Sequence, residues 1–87
     1  MGRGSRKEIK ISDPLLKPLI SNLVANVKSK RMKGDLTQQS LAIKAGLAVN
    51  TVSEIEQERI EDIRLSTVTA LSKALGEPDP LKLFRKP

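Results

Sequence analysis

The sequence predicts an all-α domain of five helices behind a flexible basic N-terminal arm. Three observations predict it. Apolar residues recur at intervals of three and four, as in Ile20, Leu23, Val24 and Val27. Helix-starting residues (Asp13-Pro14, Thr37, Ser66, Asp79-Pro80) alternate with helix-stopping Gly34, Gly46 and Gly76. No segment reads as a strand, and there is no internal repeat or low-complexity tract.

Residues 1–12 carry Arg3, Arg6, Lys7 and Lys10 with no helical period, which reads as the arm; residues 13–87 form the domain. The first five residues also fit a vector-encoded leader. Asp13-Pro14 signals a helix start, but Pro18 would remove a bond from a helix already under way. A turn over Pro14 to Lys17 with the helix proper from Pro18 is therefore expected; a kink is the alternative. Gly34 and Asp35 end that helix. Thr37 caps a second helix, Gln38 to Ala45, whose buried side is Leu41, Ala42 and Ala45. Gly46 stops it with a left-handed residue, and Leu47 fills the turn. A third helix is expected from Val49 to Gln57, with Val52 and Ile55 inward. Glu58 to Leu65 is polar and irregular. Ser66 caps a fourth helix bearing Val68, Leu71, Ala74 and Leu75. A short fifth helix follows Asp79-Pro80, through Leu81, Leu83 and Phe84.

Composition narrows the function classes. The 87 residues hold 16 basic and 10 acidic side chains, for a formal charge of +6, and nine of the basic groups lie within residues 1–33. Such a surplus suits a polyanionic partner, although it also serves solubility. With no Cys and no His, thiolate and imidazole metal sites are excluded, as are Cys/His nucleophile–base pairs; no metal or cofactor is expected. An enzyme would have to rely on carboxylates, Lys or hydroxyls, and Glu54 and Glu56 do not make a site, because residues two apart on a helix face different sides. Phe84 is the only aromatic, so stacking on single strands is disfavoured. No apolar run reaches membrane-span length, and a Cys-free chain suits the reducing cytoplasm.

The stretch "TQQSLAIKAGLAVNTVSEIE", Thr37 to Glu56, concentrates the signal. Counting Gln38 as the first position, Ala42 is the fifth, Gly46 the ninth, Val52 the fifteenth and Ile55 the eighteenth. Ala42 lets two helix backbones approach, and Gly46 takes the positive φ of a tight corner. Val52 and Ile55 anchor the second helix and leave its other side free. That is a helix-turn-helix pattern, whose second helix enters a DNA major groove.

The wider order of elements resembles the Cro/C1-type repressor family, with its lambda-repressor-like domain. The resemblance covers roughly Pro18 to Phe84 and is carried by "VKSKR", "LTQQSLAIKAG" and "LSKALG". It implies a double-stranded DNA-binding regulator acting as a homodimer on a near-palindromic operator. It also implies that Gln38 contacts a phosphate and braces the reading helix, and that Arg31 pairs with Glu56 inside the domain. The base-reading face would be Val49, Asn50, Ser53 and Glu54, with Ala48 and Thr51 at its margin. Asn50 suits adenine, Val49 the thymine methyl, and Glu54 accepts only from cytosine N4 or adenine N6. Phosphate contacts would come from Gln38, Thr51, Lys28, Lys30, Arg59 and Arg64, with the arm adding Arg3, Arg6, Lys7 and Lys10.

Three departures from the family pattern bear on affinity. Ala48 stands where a capping Ser or Thr is common, Glu54 where a cation or Gln is common, and the following loop "ERIEDIR" is acid-rich and longer. Leu81, Leu83 and Phe84 are candidates for the dimer surface, unless Phe84 caps the core. A rival reading keeps the fold but makes another protein the main ligand, as for an antitoxin or anti-regulator bound to a toxin through the acidic loop Glu58–Asp62 or the last helix.

Overall fold

A computed structural model of the protein describes residues 14–87. The basic arm and the Asp13 cap lie outside the described residues. Four α-helices follow one another: α1 (Leu16–Lys33), α2 (Gln38–Ala45), α3 (Val49–Glu56) and α4 (Leu65–Ala74). The fifth element, η1 (Pro80–Phe84), is a 3-10 helix rather than an α-helix. Its bonds run from Lys82 N–H to the Asp79 carbonyl and from Arg85 N–H to the Lys82 carbonyl, spanning three residues. Five residues started by an Asp cap and Pro80 are too few to establish a ladder spanning four.

Two other boundaries differ from expectation. Helix α1 begins at Leu16, two residues before Pro18. Pro18 is the third helical residue, where a backbone N–H has no partner within the helix, so its ring costs no bond. Helix α4 begins at Leu65, and Arg64, not Ser66, holds the N-cap position, with no side-chain cap. Ile63, partly buried against the core, fixes where the chain turns in. Helix α3 stops one residue short of Gln57. Thr37 does cap α2, its Oγ1 accepting from Ser40 N–H at 2.9 Å.

All four α-helices end in the same way. The N–H of Leu36, Leu47, Arg59 and Glu77 each reaches back five residues, at 2.8–3.0 Å, and the residue before each is left-handed. At Gly46 that conformation is free of strain. At Asp35 and Glu58, with φ of 58° and 55°, it is not.

The core takes Ile20, Leu23, Val24 and Val27 from α1, Leu41 and Ala42 from α2, and Val52 and Ile55 from α3. Val68, Leu71 and Ala74 of α4 and Leu83 of η1 complete it. Helix α2 packs on both α3 and α4, while η1 bridges α1 and α4. Ala42 is fully buried where α2 meets the corner, and its carbonyl takes the Leu47 N–H. At the far side of α1, Asn22 donates to the Phe84 carbonyl, and Asn26 donates to those of Leu83 and Arg85, at 2.8–3.0 Å. Leu83 is therefore buried and Phe84 partly so; of the three residues considered for pairing, only Leu81 is exposed.

Glu58→Gly should raise stability by about 0.5–1 kcal/mol, because glycine takes the left-handed conformation without the Cβ penalty. Gly46→Ala should lower it by about 1 kcal/mol, since φ and not space is the obstacle there. Urea denaturation of the two variants checks both signs.

Candidate nucleic-acid interface

Helix α3 is amphipathic, and the division is sharp. Val52 and Ile55 are buried, with 1 % exposure or less, and Glu56 is buried as well. Val49, Asn50 and Glu54 are exposed; Ser53 and Thr51 are half-buried. Val49, in the first turn, leaves an apolar branch 43 % exposed.

The inward side is held by charge. Arg31 Nε and Nη2 donate to the two carboxylate oxygens of Glu56 at 2.6 and 2.9 Å, a bidentate pair. Arg31 Nη1 donates to the Leu36 carbonyl at 2.8 Å, and Gln38 Nε2 donates to Glu56 Oε1 at 3.1 Å. One cluster thus ties α1, the loop after it, the first residue of α2 and the last residue of α3. Burial opposes ionisation of Glu56. The bonds from Arg31 and Gln38 and the charges of Arg31 and Lys28 outweigh it, and the carboxyl stays below its usual range. The bond to Glu56 in turn raises the Arg31 pKa.

The cations divide between two sides. Lys28 is exposed, and its charge adds to the influences that hold the Glu56 carboxyl below its usual range. Lys30, two residues on, faces elsewhere. Its Nζ lies 3.4 Å from Glu77 and it borders a hollow between α2 and α4, so it is not among the cations beside α3. Arg59 and Arg64 are exposed in the loop after α3. Arg3, Arg6, Lys7 and Lys10 lie outside the described residues. Ala48 holds the N-cap position of α3 without a side-chain bond, and the corner is fixed by Gly46 and Leu47 instead.

One residue of this face escaped sequence reasoning. Gln57 donates from Nε2 to Ser53 Oγ at 2.8 Å, which orients the hydroxyl that the base-reading face would use. Their spacing of four on a helix was the available signal. Among the described residues no group of acidic side chains is placed to hold a metal ion, and no helix is long and apolar enough to cross a membrane.

Two helices joined at a left-handed glycine, the second with a bare outer side, define a helix-turn-helix domain. A helix-turn-helix family model matches residues 27–81, and the chain belongs to that family, in its Cro/C1-type branch. No curated protein and no solved structure matches the chain. Membership points to a DNA-binding regulator, from a family that is normally not enzymatic.

Because Glu56 has a lowered pKa in the fold, its contribution is complete above the ordinary glutamate value near 4.5 and is lost as pH falls through the folded value. Glu56→Gln should cost about 3 kcal/mol at neutral pH, since Arg31 loses its countercharge. That difference from wild type should shrink as the solution is acidified, which denaturant titrations at several pH values measure directly.

Proposed function

We propose that this chain is a sequence-specific regulator of transcription that binds double-stranded DNA as a homodimer on a near-palindromic operator. The observation that carries the reading is the outer side of α3, where Val49, Asn50 and Glu54 stand in water while Val52, Ile55 and Glu56 lock the helix to the domain. A helix held so firmly, with its polar and methyl-bearing edge bare, suits insertion into a groove. Asn50 reads adenine through N6 and N7, Val49 meets a thymine methyl, and Ser53 and Glu54 contact the next bases, Glu54 as an acceptor for cytosine N4 or adenine N6.

Attraction comes from elsewhere. Glu54 repels phosphates, so the backbone is gripped by Lys28, Arg59 and Arg64, by Thr51 and Gln38 at the helix starts, and by the arm cations. Gln38 has one amide hydrogen on Glu56 and a second left to donate.

Selection of bound sequences from random duplexes, followed by binding of the best duplex across a salt series, tests the reading. Affinity should fall with salt with a log–log slope of about −5 or steeper. Asn50→Ala should relax one position in each half-site at a cost of about 1–3 kcal/mol, whereas Lys28→Ala should weaken all sequences alike. A flat salt profile with no selected sequence would overturn it.

A further inference from the structure

A groove of about 510 Å3 runs between Lys44 and Ala45 of α2 and Ser66, Thr69, Ala70 and Lys73 of α4. No residue of α3 lines it. Lys44 and Lys73 also border the smaller hollow that reaches Lys30 and Gly76, at the end of α4. Glu77 neutralises Lys30, but among the described residues no carboxylate pairs with Lys44 or Lys73. The other end of α4 has the opposite character. Glu61 and Asp62 are exposed there and, among the described residues, have no ion pair, in a loop whose cations are Arg59 and Arg64. Leu65, which opens α4, is 76 % exposed, and Ile43, next to Lys44, is 72 % exposed.

We propose that this groove is the dimer surface, and that it receives α4 and the acidic loop of a second copy of the chain. A single helix that is acidic before its start and basic near its end is complementary to itself when two copies lie antiparallel. A two-fold axis through the middle of the groove sets Glu61 and Asp62 of each copy toward Lys44 and Lys73 of the other, so the charge match occurs twice. Leu65, one turn before Thr69 of the groove, leaves water in the same step, which adds apolar area that charge pairs alone do not provide. Both α3 helices stay uncovered. The proposal deepens the homodimer reading and replaces the last helix, where Leu83 is already buried, as the pairing surface.

Charge exchange tests it in the absence of DNA, so the outcome is independent of whether the domain binds a duplex. Sedimentation equilibrium should give a dimer for the full chain. K44E/K73E and E61K/D62K should each weaken self-association at least about tenfold. Both variants alter exposed side chains, and circular dichroism verifies that they stay folded. An equimolar mixture of the two should pair again, because each acidic groove then faces a basic loop and each basic groove an acidic loop. A monomeric wild type would assign the groove to a different occupant and overturn the proposal. Dimers indifferent to both variants, or a mixture that stays monomeric, would overturn it as well.

Discussion

The orientation of α3 depends on one guanidinium. Arg31 sits at the end of α1, and its hydrogen-bonding edges are divided between the carboxylate that closes α3 and the carbonyl that opens the path to α2. Apolar contacts from Val52 and Ile55 hold α3 down but are tolerant of small rotations, since dispersion has little directional preference. A planar fork bound to a planar carboxylate is not tolerant in that way. The pair therefore sets the angle at which α3 is presented, while the core supplies most of the attraction. Gln38 extends the same control to the start of α2, so both helices of the corner are indexed to α1.

That arrangement explains the acidic character of α3. Glu56 is consumed inside the domain and contributes nothing to the outer face. Glu54 alone carries negative charge there, and it does so among Val49, Asn50 and Ser53, none of which is charged. The outer side of α3 thus carries no positive charge. Cations are displaced to the flanks, with Lys28 on α1 and Arg59 and Arg64 in the loop beyond α3.

Much of this was legible in the sequence, for reasons that differ by element. Thr37 and Gly46 fix the ends of α2 through chemistry local to their own turns, and α2 falls where it was expected. The start of α1 was misplaced because Pro18 is harmful only beyond the first turn, and where the first turn lies depends on residues before it. Arg64 displaced Ser66 as the first cap position because Ile63 docks on a core that no local pattern reveals. Lys28 and Lys30 look equivalent in the chain, and only Glu77, far along the sequence, separates them. Leu81, Leu83 and Phe84 form one apolar cluster on paper; which of them turns inward is tied to Asn22 and Asn26, whose bonds to carbonyls of that segment no local pattern announces. Gln57 bonds Ser53 one turn back, a pairing that its spacing permits but does not require.

Those two asparagines have a further consequence for how the molecule is completed. They bind carbonyls 57 to 62 residues away, at the opposite end of the fold. The surface of α1 is therefore completed by a segment that follows it by about sixty residues. Without η1, Leu23 and its neighbours on α1 lack the cover of Leu83, and the platform that aims Arg31 is itself unfinished. The clasp from α1 to η1 thus holds the helix that carries Arg31, about two turns away from the pair that fixes α3.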